Sequence, residues 1–419
     1  MAEKKNIIIL GASYAGLSSA HYFLKHILPS LPAGGKDYHV YLVDPSTHWF
    51  TRPAAPRAVI KEDLMPYDKT FLPIADGFKS YSADKFSFMV GTATTLDIPG
   101  RTVTVSLKEG GEQTVPFHSI VIATGVKSRS PILGVTTDAE HLKTAIDRFR
   151  TVLPSAKSIV IAGGGPAGVE TAGEIGEFLN GTAGFFSRFP SNPKTKITLV
   201  AGPTKKLLPA LRPAIAKTAE KYLNRVGVEV MYGTKVTKVS PETSGYTTTV
   251  YLDNGAKLEA DIFIPANGVV PNTEFIDKFY LNDEGYLRVD KQTLRLDIAG
   301  KRIYAVGDVA ALGVGGVMAI YDEIPVVMTN MKRDLLNESK GENALPAPKG
   351  EDMTFTPNTK ETQVVPVGRG KGVGAIFGWR LPSFFVWMIK GRDYFTSMAP
   401  PVQNGSKWAK EAKWKDIAQ

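Results

Sequence analysis

The sequence predicts an α/β protein with two Rossmann-like domains and a small α+β domain at its C-terminal end. Two observations predict it. An apolar β-branched run, a glycine-rich turn and a helix-forming stretch occur in that order twice, at Asn6-Ile-Ile-Ile-Leu-Gly11-Ala-Ser-Tyr-Ala-Gly16 and at Ser158-Ile-Val-Ile-Ala-Gly163-Gly-Gly165-Pro-Ala-Gly168. The runs Ile7–Leu10 and Ile159–Ala162 are apolar without alternation, as in strands covered on both faces of a parallel sheet. Each turn is followed by another strand, Tyr38–Val43 and Lys196–Val200, which completes two βαβ units.

The remaining elements follow in order. Phe86–Val90, Thr102–Leu107 and Ile120–Ala123 read as strands, with a turn at Gly100-Arg101. Beyond the second glycine turn, Val228–Tyr232, Val236–Val239, Thr247–Leu252 and Ile262–Pro265 repeat the pattern, and Asp253-Asn254-Gly255 is a hairpin signal. Met318–Leu336 reads as one long helix with a Pro325 kink, and Glu338–Pro357 as a linker. Glycine-rich strands at Gln363–Phe377 and an aromatic, basic segment at Trp379–Phe395 form the C-terminal piece.

The glycine turns carry chemistry. At Gly163-x-Gly165-x-x-Gly168 the first glycine permits a tight turn and the second lets backbone approach a pyrophosphate. The third lets the helix pack closely, with its N-terminal dipole facing the phosphates. The first copy has Ser13 at the middle position between Gly11 and Gly16, where a small hydroxyl side chain can still donate to a phosphate. Its unit ends in Asp44, a carboxylate where an adenosine ribose needs an acceptor. The second unit ends in Ala201-Gly202, without that acid, and Lys205-Lys206 follow. Loss of the acid removes repulsion against a 2′-phosphate, so NADPH is expected to be accepted; the two lysines either pair with it or lie on a solvated loop. Ile120-Val-Ile-Ala-Thr124-Gly125 and Ile264-Pro-Ala-Asn267-Gly268 mark matching exits from the two units. Arg302-Ile-Tyr-Ala-Val-Gly307-Asp308 sets a carboxylate at a sheet's carboxyl edge, where a chain of hydroxyls would meet it.

Composition removes whole classes of chemistry. The chain of 419 residues contains no cysteine, which excludes a redox dithiol, a cysteine nucleophile and Cys-ligated zinc or iron–sulfur sites. Its six histidines show no metal-ligand spacing, and no metal is expected. Net charge is +9, of which +5 falls in residues 346–419 (eleven Lys/Arg against six Asp/Glu). A basic tail suits an anionic membrane or simply a solvated surface. Nucleic acid is not expected, because no basic stripe or nucleic-acid module accompanies the charge. No run reaches the ~18 apolar residues of a membrane span. The first residues pass straight into a strand, and Ala2 rules out N-myristoylation, so a cytoplasmic protein, with or without peripheral membrane contact, is expected.

In motif order the chain resembles the two-dinucleotide flavoprotein reductases. It is most similar to the apoptosis-inducing-factor-like branch, which includes ferroptosis suppressor protein and, further off, the type II NADH dehydrogenases. The resemblance implies an FAD-binding domain in two parts (residues 1–128 and 266–345), an inserted NAD(P)H-binding domain (129–265) and a C-terminal domain (346–419). It implies FAD contacts from Asp308 to the ribityl chain and from Arg57, in Ala55-Pro-Arg57-Ala58. Ala15, Ala93, Thr124, Gly125 and Gly307 join the expected cofactor contacts, and Lys205 those of NADPH or NADH. Glu170, in the first turn after the second fingerprint, is expected near the nicotinamide, or else serves as a helix N-terminal acid. Lys390, in Lys390-Gly-Arg-Asp-Tyr-Phe395, is expected near the flavin, or else snorkels at the surface. Val317-Met318-Ala319 departs from the branch's Lys-Met-Ala. Hydride would pass from NAD(P)H to FAD, and a quinone-type acceptor is expected. The alternatives are an electron-transfer protein, a small metabolite or, least in line with the charge pattern, a cell-death effector. Trp379–Phe395 would form a lid leaning on membrane, or else a core or homodimer contact.

Overall fold

A computed structural model describes residues 4–134, 138–241, 247–313, 315–338 and 351–412. The first unit begins with β1 (Lys5–Leu10), the helix α1 (Tyr14–Tyr22) and β2 (Tyr38–Asp44). It continues through β3 (Phe86–Asp97), β4 (Thr102–Leu107), β5 (Glu112–Pro116) and β6 (Ser119–Ile122). The helix α2 (Ala139–Val152) leads into the second unit, with β7 (Ser158–Ala162), α3 (Pro166–Asn180), β8 (Lys196–Val200), α4 (Pro213–Arg225), β9 (Val228–Met231) and β10 (Ile262–Pro265). The chain then returns through β11 (Ile303–Ala305) and α5 (Val317–Glu338) to the first sheet. β12 (Gln363–Val367), β13 (Lys371–Ile376) and β14 (Trp379–Arg380) make a small C-terminal sheet.

The sheet orders are β11-β6-β1-β2-β3-β4-β5 and β9-β8-β7-β10. In both, the strand order reverses beside the glycine-turn strand, β1 or β7; the pairs from β11 to β3 and from β9 to β10 are parallel, and β3–β4 and β4–β5 are antiparallel. This reversal opens a crevice at the carboxyl ends of the strands. Ile7, Ile8, Ile9 and Leu10 are buried, as are Ile159–Ala162, as their unbroken apolar pattern requires. Where the chain crosses between units, Val126–Ser128 pairs antiparallel with Val269–Pro271.

Four strands escape the periodicity. Strand β5 is exposed at four of its five residues and lacks an apolar stripe. Lys257–Ala260 pairs with Thr248–Leu252 across the Asp253-Asn254-Gly255 turn and is similarly polar. The crossing strands are only three residues each, too short to show a period. The long helix extends to Val317–Glu338 with Pro325 inside it. Residues 339–350 of the expected linker lie outside the described residues; from Glu351 to Thr362 the chain has no regular structure.

Candidate active site

The glycines act as their spacing implies. Gly11 has φ +96°, and a Cβ there would lie 2.5 Å from the Ala123 carbonyl oxygen. Gly163 has φ +133° and would meet the Ala266 carbonyl at the same distance. At Gly16 and Gly168 a Cβ would overlap the carbonyls of Gly11 and Gly163, at 1.7 and 1.8 Å, so α1 and α3 sit directly on their turns. Gly165 differs: a Cβ there would meet nothing within 4 Å. No protein contact demands glycine at that position, whereas an approaching pyrophosphate would.

One cavity of about 1700 Å³ runs from the carboxyl edge of the first sheet to the start of α3 and the C-terminal sheet. Gly11, Ser13, Ala15, Asp44, Ala93, Thr124, Gly125, Gly307 and Asp308 all line it. Asp44 accepts the Ala12 and Ser46 N–H groups at 2.7 and 2.8 Å, and burial nevertheless pushes its carboxyl up to about 6. Thr124 donates its hydroxyl to the Asn272 carbonyl, and the Asn272 amide donates to the Thr124 carbonyl, both at 2.8 Å; the two chain crossings are stapled at the cavity wall. Asp308 accepts the Gly316 N–H at 3.2 Å. Beside it, the buried Glu323 accepts the Gly307 N–H at 2.7 Å, and burial pushes its carboxyl up to about 7.

From the second unit, Pro166, Ala167 and Glu170 reach the cavity, and Ile389, Lys390 and Phe395 reach it from the C-terminal segment. The Lys390 ammonium meets Glu170 Oε1 at 2.5 Å, and both side chains are buried. Burial pushes the Glu170 carboxyl up to about 7 against the pull of Lys390, and nearby Glu174 adds to the rise. One turn along α3, on the same face, Glu174 accepts Arg57 at 2.7 and 3.1 Å and the Tyr394 hydroxyl at 3.0 Å.

Arg57, expected at the flavin, is not among the residues that line the cavity. Its guanidinium is spent on Glu174 and on the Gly391 carbonyl at 2.7 Å, because a buried arginine without such partners would be far too costly. It ties the C-terminal segment to α3. Lys205 lies exposed on the loop after β8, outside the cavity, while Lys206 donates to the Leu211 carbonyl at 2.6 Å.

Sequence reasoning missed an aromatic recess. Tyr14 and Trp49 pack edge to face at 4.6 Å, and Lys407 lies 4.1 Å from the centre of the Tyr321 ring. All four line the cavity. The buried Tyr14 hydroxyl, Trp49 Nε1 and Tyr321 hydroxyl have no hydrogen-bond partner among the described residues. Burial pushes the Tyr321 hydroxyl up to about 12 and Tyr14 higher still, so both remain neutral O–H donors at ordinary pH. A hydroxyl where the first fingerprint allows any residue, at Tyr14, was the available sequence signal. For Glu174 it was the Glu170-x-x-x-Glu174 spacing on a helix otherwise poor in charge.

Fold and crevices define an oxidoreductase with two dinucleotide sites. The chain belongs to the pyridine nucleotide-disulphide oxidoreductase family, whose pattern matches residues 5–332. It is 48% identical over 414 residues to Oxidoreductase phnG of Penicillium herquei, covering 97% of this chain and 98% of that one. Ferroptosis suppressor protein 1 of Homo sapiens is 26% identical over 407 residues, covering 94% of each chain; the resemblance carried by the motifs is borne out. Among solved structures, the sulfide:quinone oxidoreductase of Aquifex aeolicus has a TM-score of 0.66 at 16% identity, covering 96% of this chain and 92% of that one. FAD and NAD(P)H are the cofactors. The residues fit them: Asp44 and Asp308 sit at the crevice of the first unit, and open space lies beside Gly165 in the second.

Proposed function

We propose that this FAD-dependent NAD(P)H oxidoreductase passes its electrons to a quinone-type small molecule. The observation that carries the proposal is the recess of Tyr14, Trp49 and Tyr321, with its unpartnered donors, in the same cavity as Asp308 and Lys390. A planar diketone stacks on such rings and accepts hydrogen bonds from such donors. No cysteine pair relays electrons in this chain, so they would pass from the flavin to the acceptor without a protein dithiol between them.

Bound FAD and NAD(P)H supply hydride and electron transfer. Asp44 and Asp308 hold hydroxyls of the first cofactor, and the turn at Gly163–Gly168 takes the pyrophosphate of the second. Lys205 is offered to a 2′-phosphate. Glu170 and Lys390 close the wall between the units and keep water from the reacting rings. The overall reaction consumes NAD(P)H, a proton and a quinone, and yields NAD(P)⁺ and a quinol. The segment Trp379–Phe395 covers this site, and its outward side chains, Trp379 (79% exposed) and Phe384 (63%), lean on membrane. No helix among the described residues is long and apolar enough to cross one.

A second proposal shares the recess: the acceptor is one particular aromatic metabolite. The near full-length match to a fungal oxidoreductase favours it. The deciding experiment reduces the enzyme anaerobically with NADPH or NADH and reoxidises it with menadione, a short-chain ubiquinone or cytochrome c. Rapid reoxidation by quinones is expected, and Tyr14→Phe with Tyr321→Phe should raise the quinone KM without slowing reduction by NADPH. Quinones no faster than dioxygen, together with unchanged kinetics in both variants, would refute the quinone acceptor.

A further inference from the structure

Helix α3 carries Glu170 at the cavity, and its far end lies on the opposite side of the unit, since its fifteen residues span roughly 22 Å. The connection that follows is pinned. The Ala183 N–H donates to the Arg225 carbonyl at 2.7 Å, and the Arg225 guanidinium donates to the carbonyls of Ala183, Gly184 and Ser187. Asn180 and Thr195 close its base with two hydrogen bonds of 2.9 Å. Yet this held loop displays Phe185 and Phe186 at 87% and 98% exposure, their rings edge to face at 4.9 Å. Large apolar groups so placed forgo the burial that ordinarily accompanies folding.

Charge indicates the occupant. Between Phe178 and Lys196 the chain has Arg188, Lys194 and Lys196 and no acidic residue. A second copy of this chain, itself at +9, would bring like charge to the loop, whereas an anionic bilayer brings the opposite sign. The Ser383–Phe384 part of the C-terminal aromatic segment lies toward the same end of α3, while its Lys390 part meets Glu170 at the cavity. Arg369 donates its N–H to Glu177, the neighbour of Phe178, and the Gly372 N–H donates to Ser383, the neighbour of Phe384.

We infer that the connection 181–195 is a lipid-facing anchor, with Phe185 and Phe186 entering the headgroup boundary of an anionic membrane while Arg188 and Lys194 meet its phosphates. Such anchoring combines buried apolar area with attraction to anionic lipid. It does not depend on the identity of the acceptor.

Co-sedimentation of the full chain with phosphatidylcholine vesicles, with and without phosphatidylserine, tests it. The wild type should partition to the phosphatidylserine vesicles at low salt, and Phe185→Ser/Phe186→Ser should lower that partition by tenfold or more while leaving ferricyanide turnover intact. In a Trp379→Phe background, Phe185→Trp should add to the emission, taken as the difference from that background, a component that shifts blue on phosphatidylserine vesicles alone. An unmoved emission, or equal partition of wild type and double serine variant, overturns the inference. So does a wild-type dimer that the serine variant breaks without any change in vesicle binding, since that makes a second copy the occupant.

Discussion

Replacing the second-unit glycines one at a time separates packing from ligand binding. Gly165 sits at φ −78° and ψ −178°, extended backbone that any residue adopts, with nothing within 4 Å of the place a methyl group would take. In Gly165→Ala, reduced freedom of the unfolded chain stabilises by ~0.4–1 kcal/mol, and loss of a glycine N-cap opposes it by roughly as much. Urea denaturation should therefore find stability within ~1 kcal/mol of wild type. The same methyl stands where a pyrophosphate would approach the start of α3, so NADPH affinity should fall at least tenfold, ~1.4 kcal/mol, with flavin content unchanged. Gly168→Ala is the counterpart. Its Cβ would lie 1.8 Å from the Gly163 carbonyl oxygen, so α3 must lift off its turn, at a cost of ~1–3 kcal/mol or more. A Gly165→Ala protein that binds NADPH like wild type would place the pyrophosphate elsewhere, and a Gly168→Ala protein of wild-type stability would refute the packing argument.

Burial holds a proton on Glu170 up to about pH 7, whereas the unfolded chain releases it near the ordinary 4.5. Stability should thus decline as pH rises between those values, by ~3 kcal/mol from this group; Glu170→Gln should flatten that part of a urea-denaturation pH profile, and an unchanged slope counts against it. Lys205 is exposed while Lys206 is tied to Leu211, so Lys205→Ala should lower kcat/KM for NADPH relative to NADH and Lys206→Ala should not; a wild-type preference for NADH above tenfold, ~1.4 kcal/mol, contradicts this. Arg57→Met leaves Glu174 buried without its cation and should cost ~3–5 kcal/mol, with flavin per folded molecule unchanged. Cofactor loss at full stability would return Arg57 to the flavin.

The glycine turns were legible because their constraint is local: backbone overlap at Gly11, Gly16, Gly163 and Gly168 is decided within a few residues and one neighbouring strand. The place of Asp44 and Asp308 at the cavity was legible because strand ends point side chains to one edge of the sheet. The role of Arg57 was not, because Glu174 is 117 positions away and Gly391 is 334 positions away, and no spacing encodes such a meeting. The recess was hidden for the same reason. Tyr14, Trp49, Tyr321 and Lys407 come from four separate segments, and as single aromatic or basic residues they look like ordinary core or surface.

The recess and the α3 carboxylates divide the work that a quinone-type acceptor demands. Its oxygens must be held by neutral donors before reduction and must gain protons afterwards. Tyr14 and Tyr321 suit only the first task, because burial raises both hydroxyls too far for proton release near neutrality. Glu170 and Glu323 suit the second: each lines the cavity, and burial brings each carboxyl to about 7, where proton exchange is most effective. The two carboxyls approach from different units, Glu170 on α3 and Glu323 on α5. Glu170 is locked to Lys390, whereas Glu323 is held by the Gly307 N–H beside Asp308. On the proposed acceptor chemistry, Glu323 is the carboxyl free of an ion-pair partner among the described residues and the better placed of the two to give up a proton, while Glu170 is held in its pair with Lys390.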